Sequence, residues 1–131
     1  MKSFDLIKAI DIFRAKFPQD KMDSSALSNS KLLEYHIWLP LVEHFPDYNI
    51  KINSGFRTPE QNKLVGGVPT SQHLFGKAMD ITTGSYEYNY EIYKWLKTLE
   101  FDQLIEYNDM KFIHISYNAY HNRKQLIHIK K

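Results

Sequence analysis

Apolar positions along the chain give the first outline. Phe4, Ile7, Ile10, Ile12 and Phe13 recur at roughly helical spacing, which predicts an amphipathic helix over residues 3–16 that ends at Phe17-Pro18. Residues 19–30 are polar and rich in Ser and Asp, and are expected to be a loop. Asn29-Ser30 then serves as the N-cap of a second amphipathic helix, residues 31–44, carrying Leu32, Leu33, Ile37, Leu41 and Val42. Pro40 lies inside that helix and is expected to kink it.

Shorter apolar runs follow. Pro46-Asp47-Tyr48-Asn49 marks a turn, and residues 48–53 the first strand. Thr58 and Pro59 look like the cap and first position of a short helix that ends before Gly66-Gly67. Residues 68–76 form a loop, residues 78–82 a second strand, and residues 88–99 a third long helix. Two strands, residues 101–107 and 112–117, flank a tight turn, and the tail around residues 122–129 adds a final strand. Helices early and mid-chain with a mostly antiparallel sheet give an α+β fold.

Length and charge narrow the function classes. At 131 residues the chain is expected to be one domain, residues 1–131, with a real core. The net charge of +2 gives no argument for a nucleic-acid partner. There is no cysteine, which removes disulfides and thiolate chemistry. No run approaches a membrane span, and acidic residues interrupt the apolar N-terminus, so neither a membrane partner nor a signal peptide is expected.

The chemistry concentrates between Ile52 and Ile81. Ser71-Gln72-His73 precedes Asp80 by a segment containing Gly76 and Ala78. Imidazole and carboxylate both bind zinc, but two such residues are a weak signal alone. His114, in the later strand, is the candidate third ligand. The remaining histidines, His36, His44, His121 and His128, are read as structural or solvated.

These residues carry a resemblance. Ser54-Gly55-Phe56-Arg57, Gly66-Gly67, the Ser71, His73, Gly76, Ala78, Asp80 pattern, and Phe112-Ile113-His114-Ile115-Ser116-Tyr117 resemble the zinc-dependent D-alanyl-D-alanine carboxypeptidase family. That family includes vancomycin-resistance carboxypeptidases and several phage endolysins, and the likeness is to its small phage or prophage branch. The resemblance implies a Hedgehog/DD-peptidase-like fold and a Zn2+ ion on His73, Asp80 and His114. Three protein ligands and an open fourth position are the arrangement of a catalytic zinc. The implied substrate is a peptidoglycan stem peptide, cut at a terminal D-Ala–D-Ala bond or at an internal bond such as L-Ala–D-Glu. Arg57 would stabilise the oxyanion, and Ser71 and Gln72 would contact substrate or orient their loop. The enzyme would be a monomer, made in the cytoplasm and acting on the wall once released.

One role departs from better-known members. Several of those carry Glu, Asp or His three residues before the last ligand, where this chain has Lys111. The nearest carboxylates are Glu106 and Asp109. A three-residue hairpin loop, Asp109-Met110-Lys111, puts Glu106 opposite His114 and pairs Tyr107 with Ile113 and Ile105 with Ile115 on an apolar face. A two-residue loop puts Ile105 opposite His114 and turns Glu106 to the wrong face. The apolar pairing favours the first register and Glu106 as general base. The Lys111 departure also keeps open a non-catalytic module that retains the fold and binds wall peptides or another protein.

Overall fold

The computed structural model describes residues 4–130. Helix α1, Leu6–Lys16, starts at Asp5, whose side chain accepts a hydrogen bond from the Lys8 N–H at 3.0 Å. That capping satisfies one of the free amides of the first turn. The second helical arm begins earlier than the apolar pattern suggested. Helix α2 spans Ser24–Leu33, with Asp23 as N-cap accepting from Ala26 N–H at 2.8 Å. Its polar first turns conceal a helix because only Ala26, Ser30 and Leu33 point inward, and Ser30 donates to Leu27 O.

The arm does not break at Pro40. A π-helical segment, Glu34–Trp38, joins α2 to α3, Leu39–His44. Leu39 N–H bonds to Glu34 O, one residue further back than in an α-helix. Proline offers no N–H and crowds the carbonyl four residues behind it, so the wider turn accommodates Pro40 without ending the helix. Trp38 is fully buried there and donates from Nε1 to Ala9 O at 2.8 Å, which ties the arm to α1.

Five strands form one sheet: β1 Lys51–Ser54, β2 Ala78–Thr82, β3 Gln103–Tyr107, β4 Ile113–Ser116 and β5 Gln125–Ile129. Their order is β1-β2-β4-β3-β5. All neighbours are antiparallel except β3 and β5, which are parallel, so the tail strand crosses over rather than extending the hairpin. Met79, Ile81, Leu104, Ile113 and Ile115 are fully buried on one face, against α1, the α2–α3 arm and α5, Tyr86–Leu96. Side chains alternate along a strand, so Asp80 and His114 fall on the other face. The α+β class expected from the sequence is the observed one.

Besides the early start of α2, three departures from expectation bear on the site. Helix α5 runs from Tyr86 because Ser85 caps it, accepting from Tyr88 N–H at 3.2 Å. Tyr86, Tyr88 and Tyr90 therefore sit on its exposed first turns. Strand β1 carries a bulge: Ile52 pairs with Ile81, yet Ser54 pairs with Asp80, leaving Asn53 as the extra residue.

The third difference is the hairpin register. Ile105, not Glu106, lies opposite His114, and Leu104 lies opposite Ile115. The register differs because Met110 is a core residue. It is 3% exposed at φ +51°, and its carbonyl accepts from Asn89 Nδ2 at 2.8 Å. Lys111 O accepts from Thr82 Oγ1 at 2.7 Å. These anchors pull the loop inward by one position, and a slip of one flips every side chain to the other face.

Gly76 closes the His73 turn with φ +69°, and a Cβ there would collide with the Ala26 carbonyl. Gly76→Ala is therefore expected to cost about 2–4 kcal/mol, from positive-φ strain plus overpacking against backbone. Urea unfolding checks this, and a loss below about 0.5 kcal/mol, the range of an ordinary surface substitution, would contradict it.

Candidate metal centre

His73, Asp80 and His114 converge from three segments. Asp80 and His114 are direct cross-strand partners in β2 and β4. Opposed residues share a face at about 5 Å between Cβ atoms, which brings their polar ends together. His114 Nδ1 lies 3.0 Å from Asp80 Oδ1. His73 reaches the pair from a single 3-10 turn, Gln72–Phe75. Ser71 caps that turn, accepting from His73 N–H at 3.3 Å. His73 Nε2 lies 3.4 Å from Asp80 Oδ2.

The tautomer of His73 follows from its other contact. Its Nδ1 is 2.8 Å from Gly55 O, and a carbonyl only accepts, so Nδ1 carries the proton. Nε2 is the nitrogen that faces Asp80. One ligand atom from each residue lies within 4.8 Å of the others. A tetrahedral zinc with bonds of about 2.0–2.1 Å separates its ligands by roughly 3.3 Å. The 3.0 Å contact of His114 and the 3.4 Å contact of His73 run to different oxygens of Asp80, so the three side chains stand at the scale of that cage without yet closing on one point. The donor set, two imidazoles and a carboxylate, suits the same ion.

Asp80 is 8% exposed. Burial alone pushes its carboxyl up, but hydrogen bonds to His114 and His73 and their charges together outweigh it and hold the group well below the ordinary range. A carboxylate kept ionised in the interior is ready to bind a cation.

Arg57 flanks the cluster. Its backbone N–H donates to His73 O at 3.1 Å. Nε donates to Ser54 Oγ at 3.1 Å and Nη1 to Asn62 Oδ1 at 3.3 Å, while Nη2 lies 3.6 Å from Asp80 Oδ2. The β1 bulge supplies Ser54, and α4, Pro59–Leu64, supplies Asn62. That helix opens as expected, with Thr58 capping it and Pro59 in first position, and Thr58 and Gln61 form a capping box. Asn62 is 3% exposed and also donates to Val68 O at 2.8 Å. A Cβ at Gly67 would strike its side chain, which accounts for glycine there.

The structure moves Glu106 away from the place the sequence assigned it. It shares the face of Leu104, and its Oε1 is 3.0 Å from His128 Nδ1, its register partner on β5. Asp109 sits in the turn and accepts from Lys111 N–H at 3.2 Å. Tyr107, expected on the core face, turns to the face of His114 instead. Burial first, and then the charges of Asp80 and Asp109, push its phenol up. His36 and His44 stack on Tyr117 and Trp95, as structural histidines do.

Gln72 lies beneath the cluster. Its Oε1 is 3.3 Å from His114 Nε2, and its Nε2 donates to Asp102 Oδ2 at 2.9 Å. Asp102 is 1% exposed and takes further hydrogen bonds from Arg123: backbone N–H at 3.1 Å and Nε at 3.0 Å to Oδ1, and Nη2 at 2.8 Å to Oδ2. Neither Asp102 nor Arg123 stood out in the sequence. A lone Asp at a strand start and an Arg in a polar tail carry no spacing signal.

The Arg123 hydrogen bond, working against burial, holds the Asp102 carboxyl below its ordinary range, with its backbone amide and charge and the Gln72 amide adding to the effect. A carboxyl lowered on folding adds stability above its unfolded value, about 3.9, and loses it as pH falls through the lower folded value. Arg123→Gln should therefore melt below wild type at pH 6, with the gap narrowing toward pH 3. Melting curves across that range test it, and a gap that stays constant with pH would refute the linkage.

Compared with known protein families, residues 11–116 match the family described as Peptidase M15. No curated protein matches the chain. The match contains His73, Asp80, His114 and Arg57, and stops before Arg123 and β5. It covers most of the sequence, and the chain belongs to the Peptidase M15 family of metallopeptidases.

Proposed function

We propose that this protein is a zinc-dependent peptidase that hydrolyses peptidoglycan stem peptides, at the D-Ala–D-Ala bond or at an internal L-Ala–D-Glu-type bond. The carrying observation is the His73–Asp80–His114 cluster, whose candidate ligand atoms lie within 4.8 Å of one another, with one guanidinium fixed beside it. Zinc held by three protein ligands supplies an acidified water and a Lewis acid for the scissile carbonyl.

The chain's own residues supply the rest. Gly55 O fixes the ring of His73, and Asp80 is held ionised. Arg57 is tethered by Ser54 and Asn62, so its charge is pre-positioned for an anionic oxygen and needs little reorganisation during reaction. A substrate carboxylate or a developing oxyanion suits it equally. Ser71, half-buried, acts on the loop as the cap of the His73 turn. Among the described residues no helix is long and apolar enough to cross a membrane.

A second reading rests on one observation. The carboxylate expected as general base is bonded to His128 on the opposite face, and Asp102 is saturated by Arg123 and Gln72. A module that binds wall peptides without cutting them fits that arrangement. Zinc-loaded protein incubated with purified peptidoglycan separates the two: release of D-alanine or new amino termini supports the peptidase, and retention of intact peptide supports the binding module.

His73→Ala is expected to abolish stoichiometric zinc while the far-ultraviolet circular dichroism stays unchanged. Arg57→Ala should retain zinc and lower kcat by about 100-fold or more, as loss of an oxyanion donor does. A raised KM with unchanged kcat would reassign Arg57 to substrate binding. Glu106→Gln should keep both zinc and rate. Loss of rate in that variant would mean that the carboxylate reaches the substrate despite its place on β3.

A further inference from the structure

We infer that Gln72 is a positioning residue, held by Asp102 and Arg123, that selects which ring nitrogen of His114 faces the metal centre. This rests on the zinc site proposed above and adds the residues that orient it.

The argument is one of donors and acceptors. An ionised carboxylate only accepts, and its two oxygens offer about four lone-pair positions. In Asp102 all four are used: Arg123 N–H and Nε on Oδ1, Arg123 Nη2 and Gln72 Nε2 on Oδ2. The Gln72 amide must therefore turn its NH2 group to Asp102. Rotating it by half a turn would set its carbonyl oxygen against a carboxylate oxygen in a site that is 1% exposed. With the amide fixed, Oε1 faces His114 Nε2 at 3.3 Å and acts as acceptor. Nε2 then keeps its proton, and Nδ1, 3.0 Å from Asp80, is the nitrogen presented to the cluster.

The two histidines thus face the centre with different nitrogens, each set by an outer partner. His73 uses Nε2 because Gly55 O accepts a hydrogen bond from Nδ1–H. His114 uses Nδ1 because Gln72 Oε1 accepts a hydrogen bond from Nε2–H. Outer partners of metal-binding histidines orient the ring in this way. Here the partner is anchored by an ion pair whose cation lies beyond the segment that matches the family, and whose side chain is half exposed.

Asp102→Asn gives the sharpest test. Asparagine keeps one acceptor oxygen for Arg123 and places an NH2 group where Gln72 now donates. The Gln72 amide should turn over, present its own NH2 to His114, and shift the ring proton from Nε2 to Nδ1, where Asp80 Oδ1 accepts from it. Gln72→Leu removes the acceptor altogether and serves if the first variant folds poorly. Full-length protein labelled with nitrogen-15 histidine is compared at one fixed pH, zinc-free and zinc-loaded, by long-range proton–nitrogen correlation. Wild type should show His114 Nε2 protonated in both forms, and Asp102→Asn should lose that signal. Zinc affinity, from chelator competition, should fall about 10–100-fold in both variants, the usual cost of losing such a partner. Wild-type His114 binding zinc through Nε2, or an unchanged Nε2 proton in Asp102→Asn, would overturn the inference. If wild type binds no zinc, the metal-centre reading fails, while the zinc-free spectra still decide the role of Gln72.

Discussion

The cross-strand pairing of Asp80 with His114 is the contact on which the site depends. Asp80 lies on a strand buried on both sides, and its carboxylate is held ionised by two imidazoles rather than by water, with the Arg57 guanidinium 3.6 Å away. An isolated charge so placed would cost several kcal/mol or take up a proton. Everything around it reduces that cost. The bulge in β1 brings Ser54 beside it, Ser54 holds Arg57, and the His73 turn closes over the remaining oxygen. A cation at the centre completes the same charge balance, so the apo and metal-filled sites share one electrostatic plan.

The two faces of the sheet divide the labour. One packs Met79, Ile81, Leu104, Ile113 and Ile115 against three helical elements, which sets the register of β2 on β4. Because register and face are locked together, the apolar residues that stabilise the fold also align the ligands on the reverse side. Stability and site geometry are therefore specified by alternate residues of the same strands. A substitution in the core can misalign the ligands without touching them.

Much of this was legible in the sequence, for local reasons. Thr58-Pro59 starts a helix by cap chemistry and β2 is bounded by glycines, so both fell where expected. His73, Asp80 and His114 stood out through the family resemblance that their pattern carries, and the structure brings the three together. What was missed depends on distant contacts. Ser and Asn hide the start of α2, which becomes a helix only by packing Ala26 and Leu33 inward. The hairpin register turned on Met110, which looked like a loop residue and is a core anchor. That one-position error carried Glu106 to the wrong face. Asp102 and Arg123 are joined by a crossover from β4 to β5 that no periodicity reveals.

The parallel pairing of β5 with β3 has a consequence for how the protein matures during synthesis. His73, Asp80 and His114 all leave the ribosome before Arg123. The hairpin can close and bring the three side chains together while Asp102 still lacks its cation and the Gln72 amide is free to rotate. Only when the strand after Arg123 crosses over and docks on β3 does the support beneath His114 become rigid. In a nascent chain the three side chains can therefore meet before Gln72 is held beneath them, and that support is completed at a late step of folding.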